Sequence, residues 1–208
     1  MAKTGNNQDQ DIEWLNWICA AEDIDELKEK YDQWADTYDE QVQLLWSQVP
    51  KAAARIFTDH IADKNSLLID VGAGTGLGGV ALAEQGFKNI IGCDVSQAML
   101  EKAREKQVYQ SLVCCAIGDE AAIDLGKASG LMALGVFSAN HAGADELISL
   151  EQNLLPGGII VFTSRSSFLP KLEQAMKQHA WQTLSSIVIP IYEDPIHLLT
   201  CKIDHNSN

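Results

Sequence analysis

No stretch of this 208-residue chain is apolar for long enough to span a bilayer, and it opens on no signal peptide or targeting motif, so a cytosolic protein without a membrane partner is expected. Basic residues are scarce. Fifteen lysines and arginines stand against 29 aspartates and glutamates, giving a formal net charge of -14, and they form no cluster. Nucleic-acid affinity comes mainly from neutralising phosphates with basic side chains, and attraction to anionic membranes has the same origin. Both partners are therefore excluded, and the acidic surface serves solubility. Cysteine is no more promising for metal chemistry: Cys19, Cys93, Cys114, Cys115 and Cys201 are odd in number and lack metal-type spacing. Adjacent Cys114 and Cys115 would point to opposite faces of one strand and cannot easily share a tetrahedral site. Reduced, buried thiols and no metal are expected. Repeats and low-complexity tracts are also missing, and the polar ends, Met1 to Gln10 and His205 to Asn208, read as disordered.

What the chain does have is a hydrophobic content of 46%, enough for one substantial core. From Lys51 to Phe162 helical and short apolar segments alternate, which predicts a βαβ-built parallel sheet with helices on both faces. The most informative segment is Leu67 to Gly76, Leu-Leu-Ile-Asp-Val-Gly-Ala-Gly-Thr-Gly. Its apolar half suits a strand buried on both faces. Gly72, Gly74 and Gly76 then form a turn that lets a ligand lie against the backbone at a helix N-terminus. Gly74-Thr-Gly76-Leu-Gly78-Gly79 also satisfies the G-x-G-x-x-G spacing of dinucleotide sites. Asp70, two residues before Gly72, would repel a pyrophosphate but can hold an ammonium group. A second strand, Asn89 to Asp94, ends in a carboxylate about 20 residues beyond the turn, placed to accept hydrogen bonds from a ribose diol.

These residues give the segment a specific likeness. Ile69-Asp70-Val71-Gly72-Ala73-Gly74-Thr75-Gly76 resembles the first motif of class I S-adenosylmethionine-dependent methyltransferases, and Asp94-Val95-Ser96-Gln97-Ala98-Met99-Leu100 resembles their Asp-x-Ser-x-x-Met-Leu pattern. Leu154-Leu155-Pro156-Gly157-Gly158 matches the family's turn into a fifth strand. The resemblance implies S-adenosylmethionine as cofactor and S-adenosylhomocysteine as product. It implies a cofactor site built from Asp70, Gly72, Ala73, Gly74, Thr75 and Gly76, with Asp94 and Val95 at the ribose and Met99 over the adenine. A carboxylate of the Gly118-Asp119-Glu120 turn would receive the adenine amino group, and Gly135 and Val136 would border the methionyl end. The implied architecture is a Rossmann-like, doubly wound, seven-stranded and mostly parallel sheet. It closes with a reversed C-terminal hairpin, read here as Trp181 to Tyr192 and Ile196 to Ile203.

Four of the five tryptophans fall in the first fifty residues, on helices expected over Asp11 to Ala21, Ile24 to Thr37 and Asp39 to Ser47. Residues 1–10 thus read as a tail, 11–50 as a helical lid and 51–208 as the core. Tyr31-Asp32-Gln33-Trp34-Ala35-Asp36-Thr37-Tyr38-Asp39 resembles a signature of small-molecule methyltransferases, including the Williams-Beuren-region methyltransferase-like proteins. That likeness implies that Trp34 lines the cofactor pocket and that Tyr38 reaches the methionyl carboxylate or the methyl group. His141 follows the fourth strand, Leu131 to Phe137, where open α/β sheets bind ligands, and it is the candidate general base. The expected activity is methyl transfer to a small-molecule acceptor by a monomer or homodimer. Two alternatives remain open, a nicotinamide-dependent oxidoreductase and a non-catalytic adenosylmethionine-binding module.

Overall fold

The computed structural model describes residues 14, 17–18, 20–119, 122, 124–139 and 141–204, with side chains 43–45 left aside. Helices α1 (Ile24–Trp34), α2 (Tyr38–Trp46) and α3 (Gln48–His60) precede the sheet. Alternation of strands and helices follows: β1 (Leu67–Val71), α4 (Leu77–Glu84), β2 (Asn89–Asp94), α5 (Gln97–Glu105), β3 (Ser111–Cys114) and β4 (Ala128–Phe137). The chain continues through α6 (Ala144–Ser149), a 3₁₀ turn at Leu150–Asn153, β5 (Leu154–Arg165), α7 (Leu169–Gln178), β6 (Gln182–Ile189) and β7 (Ile196–Ile203).

The strands form a seven-stranded sheet in the order β3-β2-β1-β4-β5-β7-β6. From β3 to β5 every neighbouring pair is parallel, whereas β7 runs antiparallel to both β5 and β6. This is the reversed terminal hairpin that the sequence implied, and it rules out the uninterrupted parallel sheet of a nicotinamide dehydrogenase. Each face has its own core. Phe57 of α3 and Leu82 of α4 pack with Leu68, Ile90 and Val161 on one side, and Leu147, Leu172 and Met176 pack with Ile69, Leu131 and Phe162 on the other. Burial on both faces explains why β1 reads as an unbroken apolar run interrupted only by Asp70.

Several boundaries differ from expectation for local reasons. The helix expected to reach Thr37 stops at Trp34, where Thr37 N–H turns back to the Trp34 carbonyl, and α2 begins at Tyr38. The third strand, which the apolar run suggests over Ser111 to Ala116, ends at Cys114 because the chain bends into a turn in which Asp119 accepts a hydrogen bond from Ala116 N–H at 2.9 Å. Of the helix expected over Asp11 to Ala21, Trp14, Trp17 and Ile18 are helical, Ala20 and Ala21 are not, and the rest lies outside the described residues. Both terminal segments expected to be disordered also lie outside them.

A third apolar cluster joins α1 and α2 to the sheet assembly through Ile18, Leu27, Trp34, Val42 and Met99. Polar contacts fix the same docking. Asp32 accepts from Ser96 Oγ at 2.5 Å and from Ala98 N–H at 3.2 Å, so a lid carboxylate completes the N-terminus of α5. Asp36 pairs with Lys102 at 2.7 Å and Asp39 with Lys106 at 2.6 Å, while Thr75 Oγ1 also donates to Asp39.

Candidate active site

The C-terminal ends of β1, β2, β4 and β5 face the lid across a cavity of about 480 Å³. Its floor begins at the glycine turn. Gly72, Gly74 and Gly76 have φ of +65°, +53° and +93°, a region closed to most side chains. A Cβ on Gly72 would also lie 2.4 Å from Val136 Cγ2, so β4 comes close only because that atom is missing. Gly76 is the N-cap of α4, and this aims the helix N-terminus at the cavity.

Asp94 sits at the end of β2, its Oδ2 accepting from Gly74 N–H at 2.8 Å and its Oδ1 from Ser96 N–H at 2.9 Å. Each oxygen keeps a further lone pair for a ligand. Burial raises its pKa above the usual carboxylate range, and the backbone N–H donors oppose that rise. Beyond Asp94 the wall is apolar, formed by Val95, Met99, Cys115, Ala116 and Ile117. Gly118 and Asp119 are exposed and stand outside that wall, because the Asp119 carboxylate is turned onto its own loop; Glu120 lies outside the described residues. The amino-group partner expected there is therefore absent from the described cavity lining.

Asp70 is 2% exposed, and burial pushes its pKa up to about 7, although a Tyr109 hydrogen bond opposes the rise. Tyr109 Oη donates to Asp70 Oδ2 at 2.6 Å and accepts from Gly79 N–H at 3.1 Å. Its ring lies over two glycines, since a Cβ on Gly79 would meet Cζ at 2.3 Å and one on Gly92 would meet Cε1 at 2.9 Å. Nothing in the local sequence signals Tyr109, which reaches the glycine turn from the far end of α5.

The roof is aromatic. Trp34 stacks with Tyr31 at 6.1 Å, meets Tyr38 edge-on at 4.6 Å and lies 4.3 Å from Trp14 between ring centroids. Trp34 Nε1 donates to Gln41 at 2.5 Å. Burial, reinforced by the Asp94 charge, raises the Tyr38 pKa far enough that its phenol stays protonated, a donor at every working pH. Trp46 Nε1 donates at 2.8 Å to the hydroxyl of Tyr192, which reaches in from the loop between β6 and β7.

Opposite the roof, β4 ends irregularly. Its register with β5 shifts between Ala133 and Phe137, Gly135 has φ of +74°, and Gly135 N–H donates to Thr163 Oγ1 at 2.7 Å. The shift directs Gly135, Val136, Ser138 and His141 to the cavity. Burial, as the main cause, depresses the His141 pKa; a hydrogen bond to the Gly135 backbone opposes the shift and the Arg165 charge adds to it. His141 Nε2 and Ser138 Oγ are sealed from solvent without a partner among the described residues. With Nδ1 held by a carbonyl, the neutral ring presents the Nε2 lone pair. Every site residue expected from the sequence except Gly118, Asp119, Glu120 and Gly76 thus borders one cavity; Gly76 lies directly beneath it as the cap of α4. Tyr192 and Arg165 join them unannounced, and Tyr109 supports the turn from behind through Asp70.

The donors fit adenosylmethionine better than a phosphate-bearing cofactor. Asp70 and Asp94 present anionic charge beside the turn, where an ammonium and a ribose diol would be welcome and a pyrophosphate would not. Among the described residues no cluster of three or more His, Cys, Asp or Glu side chains is placed to hold a metal ion.

Residues 68–154 match the family described as a methyltransferase domain. The human methyltransferase-like protein 27 is 31% identical over 156 residues, which is 72% of this chain and 63% of that protein, so the chain spans under two thirds of its curated relative. A chain from the Haloferax volcanii complex of a methyltransferase with the Trm112 activator superposes with a TM-score of 0.66 at 15% identity, over 87% of this chain and 99% of its own. Magnesium protoporphyrin IX methyltransferase from Synechocystis, solved with bound adenosylmethionine, superposes with a TM-score of 0.63 at 11% identity, over 98% and 100%. The family match runs from β1 and its glycine turn to the first residue of β5, and the two structures share the fold of this chain.

Proposed function

We propose that the chain is a methyltransferase that moves the methyl group of S-adenosylmethionine to a small-molecule acceptor in the cytosol, in the manner of the Williams-Beuren-region subgroup. The observation that carries the reading is the shape of the cavity, which runs from two ribose-and-ammonium-compatible carboxylates to an aromatic chamber closed by α1 and α2. Such a closed, mostly apolar space suits a compact acceptor, and the net charge of -14 disfavours a nucleic acid.

In this reading Asp94 holds the ribose hydroxyls on the free lone pairs of its two oxygens. Val95 and Met99 enclose the adenine, with Asp119 or Glu120 as its polar partner if their turn closes inward. Asp70, with Gly72, Ala73, Gly74, Thr75, Gly135 and Val136, surrounds the methionyl end, and its carboxylate ionises as the ammonium arrives. Bound there, the cofactor supplies an electrophilic methyl on a sulfonium that leaves as a neutral thioether. The protein's own work is alignment: Trp34 and Tyr38 cap the reacting centre, exclude water and fix the approach of the acceptor. Tyr38, locked as a donor, orients rather than deprotonates. Where the acceptor must lose a proton, the His141 Nε2 lone pair takes it.

Calorimetric titration with S-adenosylmethionine, S-adenosylhomocysteine and NADH tests this. Both sulfur nucleosides should bind in the micromolar range, with Asp94→Ala weakening each at least tenfold. Binding of NADH alone would mean a dehydrogenase.

A further inference from the structure

Arg165 is the one arginine or lysine among the described residues that line the cavity. It occupies the last position of β5, opposite Ile196 of β7, and its guanidinium carbon lies 4.5 Å from the centroid of the Tyr192 ring. In a chain with 29 acids to 15 bases, this cation forms no ion pair with any described carboxylate. Glu146, a carboxylate of the same cavity wall, is occupied in another way, its Oε2 accepting from Gly143 N–H at 2.8 Å. A guanidinium that is stacked on one face and left unpaired at its edge is a fork for a planar anion.

Its place in the sheet says which ligand that anion belongs to. Asp94 ends β2 and Arg165 ends β5, three strand spacings apart, roughly 14 Å across the cavity mouth. Arg165 is therefore on the acceptor side, next to His141, whose titration feels its charge. Tyr192 lies beside it and Trp46 bonds to Tyr192, while the same cavity is lined by Tyr31 and by Ser138 and Trp14, whose buried Oγ and Nε1 have no partner among the described residues.

We propose that the methyl acceptor is a flat, largely apolar molecule bearing a carboxylate, and that Arg165, steadied by Tyr192, is the residue that selects it. The inference rests on the methyltransferase reading above. The carboxylate docks edge-on to the guanidinium, the body lies under the aromatic roof, and the group to be methylated points to His141 Nε2. Arg165 acts as a specificity residue and takes no part in bond making.

The test uses protein saturated with S-adenosylhomocysteine and titrated with flat acids (benzoate, 1-naphthoate and indole-3-acetate) and, in parallel, with their primary amides. Acids are expected to bind at least tenfold more tightly than their amides. Arg165→Met should abolish that preference and Arg165→Lys should retain part of it, with S-adenosylhomocysteine affinity unchanged within twofold in both. By NMR, the His141 pKa should rise in Arg165→Met and also when an acid binds the unaltered protein. Equal affinity for acid and amide, a panel in which no acid binds, or a preference surviving Arg165→Met would overturn the proposal. A tenfold loss of S-adenosylhomocysteine affinity in both variants would also overturn it and reassign the cation to the cofactor's own carboxylate. Failure of the nucleoside to bind the unaltered protein would instead remove the methyltransferase reading, and this proposal with it.

Discussion

Asp70 is a carboxylate kept in the wrong place for its own comfort. Its folded-state pKa of about 7 lies above the ordinary value near 3.8, so the folded protein binds the extra proton and stability declines as pH rises from about 4 to 7. Asp70→Asn, which still accepts the Tyr109 hydrogen bond, should remove that slope and raise stability above pH 7 by ~2–4 kcal/mol in urea unfolding. The same change should weaken S-adenosylmethionine binding, and in the unaltered protein that affinity should climb as pH passes through 7 and the carboxylate ionises. Tyr109→Phe removes the bond that favours the ionised form, so the midpoint should move upward. Gly79→Ala tests the other contact of the same ring. A methyl group 2.3 Å from a tyrosine carbon cannot be absorbed by a flexible chain end, and a loss of about 1–3 kcal/mol is expected in the same assay.

Among the elements, α5 depends most on a distant residue. Its N-terminus is capped twice, by Ser96 accepting from Met99 N–H at 3.0 Å and by Asp32 of α1 accepting from Ser96 Oγ and Ala98 N–H. Asp32→Ala should cost about 1 kcal/mol of stability and raise amide exchange in both α1 and the first turn of α5, a paired response that an ordinary surface substitution would not give. How far each element could be read from the sequence follows from how local its determinants are. The strand-glycine-helix unit of β1 and α4 and the acid closing β2 are written within a few residues of one another, and β1, β2 and β7 fall where the apolar runs placed them. The break between α1 and α2 was legible too, although α1 ends three residues earlier than expected because a turn at Thr37 competes with helix propensity too weak to mark it. Tyr109, Tyr192 and Arg165 were hidden for the opposite reason. Tyr109 reaches the glycine turn only because β2 and β3 pair in parallel, and Arg165 meets Tyr192 only because β7 returns antiparallel beside β5. No window of sequence contains both partners. Asp119 shows a conflict at the shortest range, where an acid near a turn also satisfies its own backbone.

For the molecule as a whole, a net charge of -14 is a standing self-repulsion, so Tm should rise as sodium chloride is increased from about 10 to 200 mM. The pairs that fasten the lid, Asp36 with Lys102 and Asp39 with Lys106, oppose that repulsion where it matters to the cavity. Salt should therefore stabilise the core while loosening the lid, a divergence visible by following unfolding in far-UV dichroism and tryptophan emission together. Those fastenings join the roof to the floor of one chamber: Asp39 grips Thr75 of the glycine turn, Asp32 grips the turn that follows Asp94, and Trp46 grips Tyr192 beside Arg165. A roof hinged to its own floor cannot lift for the spent nucleoside without unsettling the turns that held it. If the proposed activity holds, departure rather than chemistry sets the pace of each cycle, and the maximal rate should fall in proportion as sucrose thickens the solvent.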